Sequence, residues 1–140
     1  VDFSEHLAIS AAGSAAILLG TGDLPSAAAF SAMGVFMDLD HFVDYWRETG
    51  FNLDIPRFMS YFWSRSVRRM WLPLHAWEWL ALVAGWLLIW KGHPAWLAWG
   101  LAGWAVHLML DHRFNQLHGL AYFFFFRLRH GFDADILNND

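Results

Sequence analysis

Cysteine is absent from these 140 residues, which excludes disulfides and thiolate metal sites. Charge is scarce as well: Asp, Glu, Lys and Arg make up 16% of the chain, where about 25% is usual. That scarcity excludes a disordered tail, a coiled coil and a nucleic-acid binder with a broad basic surface. The formal net charge of −4 implies no acidic partner. No basic region precedes the first apolar stretch and Glu5 stands near its start, so it is not expected to be a signal peptide. What is there is apolar: 57% of the residues are hydrophobic, with 13 Phe and 10 Trp. Aromatic side chains in that number suit a surface where lipid meets water. Against this background stand eight His.

A helix needs about 20 apolar residues to cross the hydrocarbon. Residues 71–90 are apolar except for His75 and Glu78, and 94–110 except for His107, with only Lys91, Gly92 and His93 between them. They are expected to form a tight antiparallel hairpin. Earlier in the chain, 7–19 and 25–37 are shorter runs of small apolar side chains. Gly20, Thr21, Gly22 and Asp23 followed by Pro25 supply a helix stop, a turn and a helix start, which predicts a second hairpin. The expected fold is all-α, a single helical membrane domain with four transmembrane helices as two hairpins plus interfacial amphipathic helices. The helices are expected at 3–19, 24–43, 71–90 and 94–112, with interfacial segments at 51–70 and 118–130. Arg47, Arg57, Arg65, Arg68 and Arg69 lie between the hairpins, and Arg113, Arg127 and Arg129 follow the last helix. Lys91 stands alone on the other side. The positive-inside rule then places both termini in the cytoplasm.

That topology, drawn from Arg and turn residues alone, brings the intramembrane polar residues to one face. His6 begins the first helix, Asp38, Asp40 and His41 end the second, His75 and Glu78 lie early in the third, and His107 and Asp111 end the fourth. His75 with Glu78 and Asp38 with His41 are i, i+3 pairs, and His107 with Asp111 is an i, i+4 pair, so each shares a helix face. An ionisable residue at mid-span costs about 2.5–3.5 kcal/mol on insertion scales, and binding a divalent cation would remove much of that cost. A set of His, Asp and Glu suits Zn, Mn or Fe and disfavours Cu(I) or iron–sulfur. Eight candidate ligands would serve one ion or two, and a two-metal centre activates water for attack on a phosphoester. Glu78 and Asp40 are the candidate catalytic carboxylates, with Glu78 as a further ligand or general base. Arg68 and Arg69 are candidate anion-binding groups at headgroup level.

The early His6, Asp38-Leu-Asp40-His41, His75 on the next span and His107-x-x-x-Asp111 together resemble the YdjM-like inner-membrane proteins, a family of membrane-bound metal-dependent hydrolases. The resemblance runs from His6 to His112. It implies a divalent-metal site on His6, Asp38, Asp40, His41, His75, His107 and Asp111, and a bacterial inner-membrane location. Met37 departs from the Pro usual before the tetrad, and no Thr or Ser flanks His75. The leading expectation is therefore a metal-dependent hydrolase acting at the cytoplasmic leaflet on a lipid or other phosphoester, in contact with the bilayer and with no nucleic acid. Two others stand beside it. One is an accessory subunit of a larger membrane complex with a structural metal site. The other is a tetrapyrrole binder with His75 and His107 as axial ligands.

Overall fold

The computed structural model describes residues 3–63 and 67–138. These are all-helical: α1 (Phe3–Thr21), α2 (Leu24–Phe36), a 3₁₀ turn (Met37–Leu39), α3 (Asp40–Thr49), α4 (Ile55–Trp63), α5 (Trp77–Ile89), α6 (Ala95–Phe114), α7 (Phe124–Arg129) and α8 (Ala134–Leu137). Among the described residues, isolated bridges at Arg69 with Asp133 and Leu117 with Asn138 are the nearest approach to a sheet. Contacts divide the chain into two compact units, Val1–Met37 with Trp77–Asn115, and Asp38–Ala76 with Gln116–Asp140.

In the first unit, the turn between α1 and α2 forms as its residues dictate. Gly22 takes the left-handed conformation at φ 69°, and Asp23 caps α2 by accepting the Ser26 N–H at 3.5 Å. Pro25 fills an early position where no helical N–H is needed. Helix α2 then packs against both α1 and α6, burying Ile17, Ala27 and Phe30 against Ala102 and Val106. Small residues permit the approach. A Cβ built on Gly103 would collide with the Phe30 carbonyl, and one on Gly34 with the Ser10 hydroxyl. In a helix pair such positions let backbones meet.

Several of the expected helix bounds differ. Helix α2 stops at Phe36 and gives way to a 3₁₀ turn, so Asp38, Asp40 and His41 do not prolong it. The third apolar run becomes helical only from Trp77, leaving α5 with 13 residues. His75 and Glu78 are therefore not an i, i+3 pair on one helix. Pro73 disfavours the helical conformation of the residue ahead of it, and the N–H groups of the stretch go to carboxylates: Asp44 accepts that of Trp71 at 2.9 Å and of Leu72 at 3.3 Å, and Asp40 accepts that of Leu74 at 2.8 Å. Pro73 contributes no donor, and Leu72 is turned to φ 39°. By contrast α6 reaches Phe114, slightly beyond its expected end. Among the described residues one helix, Phe3–Thr21, is long and apolar enough by length and composition to cross a membrane. At 1.5 Å per residue, the 13 residues of α2 or of α5 span only about 20 Å.

In the second unit, α3 and α4 join through aromatic contacts. Phe42 stacks on Phe58 with centroids 4.0 Å apart, and Tyr45 meets Phe58 and Tyr61 edge-on. Helix α4 occupies only part of the expected segment 51–70, and residues 64–66, including Arg65 of the charge argument, lie outside the described residues. Likewise, only Phe124–Arg129 of segment 118–130 is helical.

Candidate metal centre

Within the first unit, α1 supplies His6 and α6 supplies His107 and Asp111, all buried. Their ligand atoms lie within 4.8 Å of one another, and the group could hold a metal ion. His6 Nε2 is 2.9 Å from Asp111 Oδ1, and the His6 and His107 rings stack with centroids 4.0 Å apart. Nδ1 of His6 is buried with no hydrogen-bond partner, so hydrogen bonding of this ring runs through Nε2.

His107 carries the most informative geometry. Its Nδ1 lies 3.0 Å from the Gly34 carbonyl oxygen, which can only accept, so Nδ1 carries a proton and, in the neutral ring, Nε2 holds the lone pair. That lone pair lies 3.5 Å from Asp111 Oδ2. In that state two acceptors face each other in a buried site, and a cation between them would relieve their repulsion. A shared proton would draw the atoms to about 2.7–2.9 Å. Two ligands on a tetrahedral ion with arms of 2.0–2.2 Å instead stand roughly 3.3–3.6 Å apart.

The second unit has its own group, Asp38, His41 and His75, again with ligand atoms within 4.8 Å of one another. His75 Nε2 is 3.6 Å from Asp38 Oδ1; His41 Nδ1 lies 3.8 Å from the same oxygen and 3.2 Å from Asp40 Oδ1, so this nitrogen can donate to a carboxylate or bind an ion, not both at once. The two rings meet edge-on with centroids 5.0 Å apart. Asp40 lies outside both groups and is buried behind His75, with Oδ2 3.0 Å from Nδ1. Burial alone would raise its pKa; the charge of the facing His75 when that ring is protonated, then hydrogen bonds from His41 and His75, reverse this and hold the carboxyl well below the usual range.

The remaining expected site residues fall elsewhere. Glu78 is half-buried in the first turn of α5, outside both groups. Arg68 and Arg69 are exposed. Their backbone N–H groups both donate to Glu48 Oε1 at 3.0 Å, and they line a groove of about 600 Å³ with His130, Asp133 and Asp135. The groove thus carries both signs of charge.

Two residues important to this region escape a sequence reading. Arg127, grouped above with interfacial cations, is buried and donates from a guanidinium nitrogen to the His75 carbonyl at 2.9 Å. Asp44, which in sequence continues the acidic run from Asp38, is buried too, and its Oδ1 has no hydrogen-bond partner. Its pKa is pushed up to about 6, chiefly by burial, against the two backbone N–H bonds it accepts. No family model, curated protein or solved structure matches the chain.

Proposed function

We propose that this chain is a membrane-embedded metal-dependent hydrolase acting at the cytoplasmic leaflet on a lipid or other phosphoester. The observation that carries the reading is the pairing of the His107 Nε2 lone pair with the Asp111 carboxylate at 3.5 Å. That separation suits ligands on a divalent cation. His6, His107 and Asp111 would hold one ion, and Asp38, His41 and His75 another. The donor set, imidazole and carboxylate without thiolate, suits Zn, Mn or Fe. An ion so held lowers the pKa of bound water and supplies a nucleophile near neutral pH.

The chain's own residues have separable tasks in this scheme. Gly34 fixes the His107 tautomer through its carbonyl. Glu78 is the carboxylate assigned to take up the water proton, being neither in a ligand group nor buried behind an imidazole. Arg68 and Arg69, exposed beside one groove, are assigned to anionic substrate groups. A lipid environment is supported by the length and composition of α1 and by the apolar exposure of Leu82, Trp86, Leu88 and Ile89 on α5. With α1, α2, α5 and α6 as spans, the short α2 and α5 would be accommodated by local thinning of the bilayer, snorkelling of flanking residues or oligomerisation. The resemblance to the YdjM-like family supports the reaction class.

The test is elemental analysis of the purified protein, followed by phosphodiester and phosphomonoester hydrolysis with and without chelator. Bound divalent metal in at least equimolar amount, lost in His107→Ala and Asp111→Ala together with activity, is the expected result. A metal-free wild type, replete growth medium notwithstanding, would refute the proposal. Retained metal with no hydrolysis of any phosphoester would favour a structural metal in a non-enzymatic subunit.

A further inference from the structure

We infer that Asp40 is a positioning residue, which sets the tautomer and orientation of His75, and not a metal ligand. The inference rests on the metal-binding reading above and assigns a role within it. His75 belongs to the irregular stretch before α5, so no helical ladder fixes its backbone. Asp40 replaces that ladder. Its Oδ2 accepts the Leu74 N–H at 2.8 Å and meets His75 Nδ1 at 3.0 Å, while Oδ1 faces His41 Nδ1 at 3.2 Å. Arg127 holds the same residue from the other side through the His75 carbonyl.

An ionised carboxylate can only accept, so the His75 proton belongs on Nδ1. In the neutral ring Nε2 then holds the lone pair, and it faces Asp38 at 3.6 Å. The result is a carboxylate, imidazole and ion in series, the arrangement that orients a ligating ring and raises its basicity. Both Asp40 oxygens face imidazole or backbone nitrogen. His107 has the same design with a backbone carbonyl in place of the carboxylate, so an acceptor behind the ring recurs in each unit.

Titration of the full-length purified protein with Co²⁺ distinguishes positioning from ligation, read by stoichiometry, dissociation constant and ligand-field absorption. Asp40→Asn is the decisive variant because its amide oxygen can still accept from Leu74 and from His75 Nδ1. It should bind as many ions as the wild type with unchanged band positions, but about 10–100-fold more weakly. His75→Ala, the reference for a lost ligand, should bind one ion fewer. Asp40→Ala should weaken binding more than Asp40→Asn does, and Asp40→Asn keeps the test decisive if the alanine variant does not fold. The inference is overturned if Asp40→Asn loses the same ion as His75→Ala, shifts the bands, or binds with the wild-type constant. A wild type that binds no Co²⁺ overturns the metal reading itself, an outcome distinct from all three.

Discussion

Replacing Asp44 by Asn should stabilise the protein above neutral pH and destabilise it in acid. Asp44 lies in α3, outside the proposed spans, with one oxygen accepting from Trp71 and Leu72 and the other buried without a partner. Its pKa rises from 3.8 in the unfolded reference to about 6 in the fold. The folded state therefore binds more protons than the unfolded state between those values, and the group's contribution to stability falls as pH rises through that window. At 1.36 kcal/mol per tenfold, the fall is on the order of 2–3 kcal/mol. Asn keeps the acceptor for both backbone N–H groups and removes the titration. It places an amide N–H₂ where Oδ1 has no partner, at a cost of about 1 kcal/mol or more. The net expectation is a gain of about 1–2 kcal/mol at pH 7.5 and a loss of about 1 kcal/mol at pH 4. Chemical unfolding of wild type and Asp44→Asn in the same detergent, compared from pH 4 to pH 7.5, measures the difference. A stability difference that stays constant across that range refutes the buried-carboxylate argument.

Gly103→Ala should cost about 1–3 kcal/mol, because its methyl group meets the Phe30 carbonyl where α2 and α6 cross; thermal melting gives the value, and an unchanged melt argues against that close approach. Asp23→Ala should cost about 1 kcal/mol through loss of the α2 cap, measured in the same way, with Asp23→Asn close to wild type. Arg127→Met removes the donor to the His75 carbonyl and should destabilise by about 1–3 kcal/mol; a neutral effect in chemical unfolding would show that this bond does not hold the segment.

Local rules made the first hairpin readable: Gly, Asp and Pro act through nearest neighbours, and the turn from Thr21 to Leu24 forms where they place it. That His107 and Asp111 share one face of α6 was readable for a related reason, since they are one turn apart on a long helix. The start of α5 was not. An apolar run reads as helix from its own composition, whereas Leu72 is turned out of the helical region before Pro73 and the N–H groups of Trp71, Leu72 and Leu74 go to Asp40 and Asp44, more than 25 positions earlier in the chain. Arg127 was misplaced for the mirror reason. A basic residue beside a Phe run reads as an interfacial anchor unless the carbonyl it will meet is known. Pro73, a helix-breaking residue inside the expected third span, was the one local signal available.

The stretch before α5 has no regular structure, yet its amides are tied to carboxylates of α3. Solvent exchange of the Trp71, Leu72 and Leu74 amides should therefore follow the opening of α3 and not the rapid kinetics of a loop. The stretch becomes a dependent part of that helix's cooperative unit. His75, at its end, is then expected to lose order when α3 opens.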